Sequence, residues 1–284
     1  FEMMDAQSGA IVWSKDGSSF LFRSNFENKR DFKIYEYVVA EEMYFLRIDF
    51  EGWGYPIEYS PCGQFILYGS ATSGANQELY LFDVENGCSE HLTPHEGQNR
   101  YEAAFAGSPG HLFILSDWDS EFKQLYTFDV SSSTIRKVGG FCEWDSGGLK
   151  VSRDANYVAY SLNEGGYSRL LVIEVSSGSE LPIPEFRGVL SSYQFTNNNE
   201  ILLAYQNSVR SSDCYLTAIG GNEFTQLTFS SYQGLNPNLF VEPKLIQYTS
   251  FDGLQIPAFL FLPQNYQSGS RIPMVLHFHG GPEG

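Results

Sequence analysis

Short apolar runs separated by glycine- or asparagine-containing turns fill most of the chain. Residues 65–68, 112–115 and 157–160 are such runs, and they show little alternation with polar residues. Strands of this kind are buried on both faces, as expected when one small sheet is stacked between two others. The longest helix-like segment, around residues 38–47, is short and lacks clear caps. The pattern therefore predicts a protein built from many short strands.

The strand-like runs repeat along the chain with a steady period. One position recurs at spacings of 45, 46, 45 and 44 residues, and its copies are Tyr35, Tyr80, Tyr126, Leu171 and Tyr215. Four-stranded units of about 45 residues that are stacked radially are the blades of a β-propeller. A β-sandwich would not keep so steady a period, and a β-helix would have a much shorter one. We therefore predict an all-β propeller with five blades visible between residues 10 and 230, and the total blade number stays open.

A turn recurs in phase with that position, at intervals of 46, 47, 45 and 44 residues. The copies of its last residue are Gly17, Gly63, Gly110, Ala155 and Asn199. Glycine and asparagine suit a turn that requires a positive φ. Because Ala155 departs from that chemistry, we expect its turn to be of another type.

The repeat ends near residues 226–229, and a linker-like stretch with two prolines follows at residues 234–243. A loss of periodicity followed by a proline-containing segment is typical of a domain boundary. We place this boundary close to residue 240. The predicted organisation is a propeller domain at residues 1–240, which looks clipped at its start, and a second domain at residues 241–284.

The second domain begins with three predicted strands. Two runs, 245–251 and 256–262, are joined through Asp252 and Gly253, and Asp-Gly between such runs predicts a β-hairpin. The apolar run at residues 274–278 predicts a third, buried strand.

A glycine-rich loop, His279, Gly280, Gly281 and Pro282, follows the third predicted strand. A strand that leads into a His-Gly-Gly loop is where α/β-hydrolases place part of their oxyanion hole. Backbone N–H groups reach the oxygen of a reacting carbonyl only where no side chain blocks them, so paired glycines suit the position. The sequence thus predicts that residues 241–284 are the truncated start of an α/β-hydrolase domain.

A catalytic triad cannot be assembled from this sequence. The nearest match to the Gly-x-Ser-x-Gly motif contains Gly166 and Ser168 but lacks the closing glycine, and it lies between two strand-like runs. This context indicates a plain hairpin turn. The five histidines, at positions 91, 95, 111, 277 and 279, form no arrangement with a serine or cysteine. We therefore expect the chain by itself to be catalytically inactive.

Charge and cysteine content bear on partners and location. Seventeen basic and 34 acidic residues give a formal charge of −17, which argues against nucleic acids and anionic membranes as partners. No apolar stretch reaches 18 residues, so no membrane span is expected. The four cysteines, at positions 62, 88, 142 and 214, form no Cys-x-x-Cys pair. We expect free thiols and a cytoplasmic location.

Neither a cofactor nor a metal ion is indicated by any motif. His91 and His95 flank Pro94, which prevents the helix that a zinc-binding His-Glu-x-x-His motif needs. The acidic run at residues 117–121 lacks the glycine of a calcium loop, because Phe122 occupies that position. We predict a hairpin at this run.

Three groups of residues carry a resemblance to a known family. They are the Ser-Pro-x-Gly turn at 60–63 with the Leu-Tyr-Leu-Phe-Asp-Val strand at 79–84, the segment 248–260, and the loop 279–284. Together they resemble the prolyl oligopeptidase family of serine peptidases, most of all its acylaminoacyl peptidase and dipeptidyl peptidase branch. The propeller motifs are shared with TolB-type binding propellers, whereas the two later segments are strongly specific at this spacing. The likeness covers nearly the whole chain.

The resemblance implies a serine hydrolase that cleaves short peptides, with the propeller gating access to the active site. It implies that Gly281 supplies an oxyanion donor from its backbone N–H and that the Ser, Asp and His of the triad lie beyond residue 284. His279 stands where some branches have a tyrosine, so a side-chain contribution there is not carried over.

Paired glutamates ahead of a Ser-Pro-x-Gly turn hold the amine of the substrate in the dipeptidyl peptidases of this family, and Glu41 and Glu42 precede such a turn here, at a spacing that is not a close match. A solvated connection is the other interpretation of these two residues.

Two alternatives to a peptidase stay open, namely a non-catalytic TolB-like binding protein with a degenerate hydrolase domain and an esterase on the same scaffold. Endo- versus exopeptidase action and the oligomeric state are also open.

Overall fold

The computed structural model describes residues 6–278, which form 22 β-strands and one turn of 3-10 helix, Pro237–Leu239. Twenty of these strands form five four-stranded antiparallel sheets, numbered 1 to 5 here in chain order, and the other two form a hairpin. Five four-stranded repeat units were predicted from the period, and this prediction is confirmed. The helix-like segment around residues 38–47 forms the end of one strand, a turn and most of the next strand.

Each sheet is a meander in which strands adjacent in the chain are also adjacent in the sheet. Sheet 1 contains β1 (Ser8–Trp13), β2 (Ser19–Ser24), β3 (Lys33–Val38) and β4 (Met43–Ile48). Sheet 2 contains β5 (Trp53–Tyr59), β6 (Phe65–Ser73), β7 (Asn76–Asp83) and β8 (Cys88–His91). Sheet 3 contains β9 (Tyr101–Phe105), β10 (His111–Ser116), β11 (Gln124–Asp129) and β12 (Thr134–Lys137).

The last two sheets and the hairpin follow the same chain order. Sheet 4 contains β13 (Ser146–Val151), β14 (Tyr157–Glu164), β15 (Tyr167–Glu174) and β16 (Glu180–Leu181). Sheet 5 contains β17 (Val189–Phe195), β18 (Glu200–Asn207), β19 (Arg210–Ala218) and β20 (Thr225–Gln226). The hairpin contains β21 (Lys244–Thr249) and β22 (Gln255–Leu260).

The recurring turn connects the first and second strands of each sheet, and in sheets 1, 2, 4 and 5 a hydroxyl group closes it. In sheet 1 the N–H of Gly17 donates to the carbonyl of Ser14 at 3.0 Å, and the Oγ of Ser14 accepts from the N–H of Ser19 at 3.0 Å. Ser60 accepts from Gly63 at 2.9 Å in the corresponding turn of sheet 2. In sheets 1, 2 and 4 the serine that opens the turn, and in sheet 5 Thr196, therefore satisfies backbone groups that a strand ladder would leave unpaired, whereas Ala106 of sheet 3 has no hydroxyl to do so.

Ala155 adopts the same turn, so the expectation of a different turn type is wrong. Its φ is +56°, and its N–H donates to the carbonyl of Ser152 at 2.8 Å. The Oγ of Ser152 accepts from the N–H of Tyr157 at 2.9 Å and donates to the carboxylate of Asp154 at 2.7 Å. These bonds hold the backbone in the left-handed region despite a cost of roughly 1–2 kcal/mol for a residue with a Cβ.

Of the described residues, 6–162 and 171–181 form one compact unit, and 163–170 with 182–278 form another. In the first unit the core consists of apolar clusters that each span two successive sheets. Leu21 of sheet 1 shares a cluster with Ile66 of sheet 2, whereas the next residue, Leu67, shares one with Leu112 of sheet 3. Phe113 in turn belongs to a cluster with sheet 4. The prediction that the second strands are buried on both faces is confirmed.

The hairpin expected after residue 243 is present. β21 pairs antiparallel with β22, and Gly253, at a φ of +91°, donates its N–H to the carbonyl of Ser250 at 3.0 Å. The strand predicted at 274–278 is not found, because residues 271–278 have no regular secondary structure. Val275 is 92% exposed, and no described strand pairs with this segment to satisfy its backbone groups.

Candidate functional site

The predicted oxyanion loop, His279, Gly280, Gly281 and Pro282, lies outside the residues that the structure describes. Its role therefore stays a prediction. The chemistry that the described residues can perform has to be read from the sheets and from the β21–β22 hairpin.

Ser168, the serine of the incomplete hydrolase motif, makes its hydrogen bonds with the protein backbone. It lies in β15, next to a turn formed by Gly165 and Gly166 with φ values of +61° and +94°. Its N–H donates to the carbonyl of Gly188 at 2.9 Å, and its Oγ accepts from the N–H of Leu190 at 3.0 Å. The hydroxyl thus serves the backbone of a neighbouring strand, and the interpretation of this motif as a hairpin turn is confirmed.

Glu41 and Glu42 occupy the turn between β3 and β4. Both are exposed, and Glu42 has a φ of +52°, with its N–H donating to the carbonyl of Val39 at 3.4 Å. The turn places the two carboxylates at adjacent positions on an exposed connection. Binding of a substrate amine by this pair stays a prediction.

The acidic run at 117–121 forms the connection between β10 and β11, which pair in register from His111 with Asp129 to Ser116 with Gln124. The hairpin predicted there is confirmed. Across residues 6–278, no group of three or more His, Cys, Asp or Glu side chains is placed to hold a metal ion. The same residues include no helix long and apolar enough to cross a membrane.

Carboxylates on the first strands form a set of contacts that the sequence analysis missed. The Oε2 of Glu102, on β9, accepts from the N–H of Gly148 at 2.7 Å and from that of Leu149 at 3.2 Å. Both donors lie at the β-bulge of β13, where the extra residue interrupts pairing with β14. The Oε1 of Glu102 accepts from the Nζ of Lys123 at 2.7 Å. One side chain of sheet 3 therefore satisfies the bulged backbone of sheet 4.

Glu58, on β5, makes the corresponding contact one sheet earlier. Its Oε2 accepts from the N–H of Phe105 on β9 at 2.8 Å. Burial raises the pKa of Glu58, and the hydrogen bond from Phe105 and the charge of Lys150 only partly offset that rise. Glu58 and Glu102 lie 44 residues apart, which is fewer than the 46 and 47 residues that separate the recurring positions of sheets 2 and 3, so the repeat does not mark them as equivalent.

Arg100 joins the end of β10 to the start of β13. Its Nε donates to the Oδ2 of Asp117 at 2.7 Å, while Nη1 and Nη2 donate to the carboxylate of Asp145 at 2.6 and 3.2 Å. The fork geometry of guanidinium suits two carboxylates at once. Neither this network nor the Glu58 and Glu102 contacts contain an activated nucleophile, so they act by holding sheets 2, 3 and 4 in register.

The recurring tyrosine has a recurring partner. The hydroxyl of Tyr35 donates to Glu27 at 2.9 Å, and those of Tyr80 and Tyr126 donate to Glu78 and Asp119. Burial, reinforced by the carboxylate, raises the pKa of each phenol, that of Tyr80 to about 12. The same contact, a neutral phenol that donates a hydrogen bond to a carboxylate, therefore recurs in sheets 1 to 3.

In the second unit, an apolar pocket of about 150 Å³ lies beside the β21–β22 hairpin. Phe259 contacts Tyr167 edge to face at 5.1 Å between ring centroids, and the Arg187 guanidinium lies 5.0 Å from the centroid of the Tyr167 ring. A Cβ at Gly166 would come within 2.7 Å of the Phe259 ring. The hairpin is therefore fastened by an aromatic contact that only glycine at position 166 permits.

Comparison with known proteins places this architecture in a class. The fold matches a prolyl endopeptidase structure with a TM-score of 0.73 and 12% identity over 90% of this chain and 40% of that one. It matches prolyl oligopeptidase B from Galerina marginata at 0.73 and 15% over 88% of this chain and 37% of that one. TolB from Acinetobacter baumannii matches with a TM-score of 0.58 and 19% identity over 76% of this chain and 52% of that one. The sheets thus form the all-β fold of the propeller domain of prolyl oligopeptidases.

Curated relatives narrow the class. Dipeptidyl-peptidase 5 of Porphyromonas gingivalis is 20% identical over 241 residues, which cover 79% of this chain and 34% of that protein. Dipeptidyl-peptidase 5 of Aspergillus oryzae is 23% identical over 174 residues, covering 58% and 23%. The matched part of the chain therefore spans only 23% to 34% of the length of these relatives. No family model matches the chain. With these relatives and this fold the chain fits the prolyl oligopeptidase family, and the resemblance seen in the sequence is confirmed.

Proposed function

We propose that this chain is the propeller-containing part of a serine-type peptidase that hydrolyses short peptides. The observation that carries the proposal is the similarity to dipeptidyl-peptidase 5, which extends over 79% of the chain and includes the repeating sheets. In this proposal residues 1–240 are the propeller domain, and residues 241–284 are the start of the α/β-hydrolase domain.

The two parts have different tasks in the proposed peptidase. The hydrolase domain carries the chemistry, with the N–H of Gly281 donating to the oxyanion and the triad supplied by residues outside this chain. The propeller restricts the active site to short peptides and excludes folded proteins. Support for a rigid propeller comes from the cross-sheet contacts of Glu58, Glu102 and Arg100, which resist separation of neighbouring sheets.

Free thiols support the proposed cytoplasmic location. Cys62 and Cys88 are exposed, and Cys142 and Cys214 are half-buried, each with a free thiol. Exposed free cysteines suit a reducing compartment.

A fluorophosphonate probe, which labels activated serines, tests the proposal. We expect no labelling of the 284-residue chain and stoichiometric labelling of one serine in the protein that carries both this chain and the hydrolase domain. Labelling of Ser168 would contradict the assignment. A Gly281→Val variant of the complete protein should lose about 10²–10³ in kcat at an unchanged melting temperature, because one oxyanion donor is disabled.

A TolB-like binding protein is the second candidate, and the fold match to TolB favours it. This candidate predicts that the complete protein resists the probe and hydrolyses neither peptides nor esters. Peptide hydrolysis lost on modification of one serine would exclude it, and hydrolysis of esters alone would favour an esterase.

A further inference from the structure

A polar cleft in the second unit is not used by the proposed peptidase chemistry. It has a volume of about 460 Å³ and lies between the β18–β19 connection and residues 231–240. Six of its lining residues are serine, asparagine or glutamine, and its one charged residue is Arg210. In a chain with a formal charge of −17, a cleft lined by an arginine and no acid is unusual.

Arg210 is held in place by neutral groups. Its Nη1 donates to the hydroxyl of Tyr215 at 3.1 Å and to that of Tyr205 at 3.4 Å. The two tyrosine rings contact each other at 4.7 Å between centroids, so they form one support for the guanidinium. Phenols orient the guanidinium without neutralising its charge, because a hydroxyl group is a neutral hydrogen-bond partner.

The nearest acid along the strand makes its hydrogen bonds with groups other than Arg210. Asp213 is 5% exposed, and its Oδ1 accepts from the Oγ1 of Thr228 at 2.9 Å and from the N–H and Oγ of Ser230 at 2.9 and 3.0 Å. Its Oδ2 accepts from the Nε2 of Gln226 at 3.4 Å. Across residues 6–278, Arg210 has no ion pair within 4.0 Å.

Arg210 is also where the repeat departs from its own chemistry. In sheets 1 to 3 the recurring tyrosine donates to a carboxylate, whereas in sheet 5 the equivalent residue, Tyr215, accepts from Arg210. A positive charge therefore stands in sheet 5 where sheets 1 to 3 have a negative one. The tyrosine hydroxyl does not require an arginine as its partner, because an acid is its partner in sheets 1 to 3.

An apolar wall completes the cleft. Tyr232 and Phe240 contact each other at 5.6 Å between ring centroids, and Leu235, also in the lining, is 65% exposed. A planar guanidinium fork binds a carboxylate through two parallel hydrogen bonds, and the neighbouring amides and hydroxyls supply further donors. The cleft thus offers a cation, neutral donors and an apolar surface in a volume typical of small-molecule sites.

We propose that this cleft binds a small carboxylate ligand with an apolar group next to the carboxylate. Arg210 holds the carboxylate, and Tyr232, Leu235 and Phe240 contact the apolar group. The site goes beyond the proposed peptidase function, since it requires neither the triad nor the oxyanion loop.

Calorimetry with two matched probes, N-acetylphenylalanine and its carboxamide, tests the proposal. We expect the acid to bind at least about tenfold more tightly than the amide, because only the acid makes charge-assisted bonds to the guanidinium. Arg210→Gln should reduce the affinity for the acid to that for the amide. The control Arg153→Gln, in the exposed turn before β14, removes the same charge and should change nothing.

Amide chemical-shift changes caused by the acid should be confined to residues 206–211 and 231–240. Equal affinities for the acid and the amide, or no binding of either at millimolar concentration, would overturn the proposal. So would shift changes elsewhere that survive Arg210→Gln. Because the comparison of acid with amide uses the unaltered protein, the proposal stays testable even if Arg210→Gln unfolds the chain.

Discussion

Removal of the Glu102 carboxylate should weaken the attachment of sheet 3 to sheet 4 more than removal of any exposed acid. The two oxygens accept from the N–H groups of Gly148 and Leu149 and from the ammonium group of Lys123. A Glu102→Ala variant leaves both N–H groups of the β13 bulge and the ammonium group without this acceptor. The side chain of Lys123 is only 13% exposed, so water compensates it poorly.

The magnitude follows from these three contacts. A hydrogen bond to a charged group contributes about 1.5–3 kcal/mol, and an N–H left unsatisfied costs about 1–3 kcal/mol. Glu102 itself is 35% exposed, so water reaches part of the site and the sum is not realised in full. We expect Glu102→Ala to lower the free energy of unfolding by about 3 kcal/mol. Glu102→Gln should lose about half as much, because its amide oxygen keeps one backbone bond but not the ion pair.

Urea unfolding of the wild-type protein and the variants measures this loss. Glu90→Ala is the matched control, since Glu90 lies exposed on β8 and a substitution there should stay within about 0.5 kcal/mol of wild type. Hydrogen exchange at Gly148 and Leu149 should accelerate in Glu102→Ala before global unfolding. If Glu102→Ala loses no more stability than the control, the carboxylate does not hold the bulge and the reasoning fails.

Three further predictions rest on other contacts. Gly166→Ala should destabilise the protein by roughly 1–3 kcal/mol in thermal unfolding, because it adds a Cβ against the Phe259 ring at a φ of +94°. The control Gly178→Ala, at a φ of +67° with no neighbouring atom near the added Cβ, should destabilise the protein less. Equal losses in the two variants would show that the ring contact is unimportant. The pKa of Glu58 is raised above its ordinary value of 4.5, so its contribution to stability should fall as pH rises from 4.5 through the folded-state pKa; urea unfolding against pH should show this fall in wild type and not in Glu58→Gln. Alkylation without reductant, followed by mass spectrometry, should modify all four thiols, and a disulfide-linked peptide pair would count against a cytoplasmic location.

The strands and turns could be predicted because local chemistry specifies them. A serine that closes a turn and an apolar run that follows it recur within a few residues of each other, so each copy is legible by itself. Ala155 shows where this reasoning stops. Residue type indicated an ordinary φ, but the hydrogen bonds of Ser152 and Asp154 with their neighbours impose the left-handed conformation. Tertiary and side-chain bonds outweigh the preference of one residue.

The polar contacts between sheets could not be predicted in the same way. Glu58 and Glu102 accept from residues about one repeat further along the chain, at positions that differ in register within their strands. Neither residue forms a motif with its sequence neighbours, and only the stacking of sheets brings donor and acceptor together. The strand expected at 274–278 failed for a related reason, because an apolar run becomes a strand only beside a partner that pairs with its backbone.

The charged group next to the recurring tyrosine position differs between the sheets and depends on the residue at that position. Where that residue is Tyr35, Tyr80 or Tyr126, its hydroxyl group donates a hydrogen bond to a carboxylate. Sheet 4 has Leu171 there, with no hydroxyl, and its hairpin acid Glu164 pairs instead with Arg169 at 3.3 Å. Sheet 5 keeps a tyrosine but places a cation, Arg210, against its hydroxyl, and the acid whose charge Arg210 influences, Asp213, makes its hydrogen bonds with other groups. The phenols neutralise neither these acids nor Arg210, so charge balance does not separate sheet 5 from sheets 1 to 3. Sheet 5 differs in the sign of the charge: the group that contacts the hydroxyl of Tyr215 is positive, and a bound carboxylate would complement it.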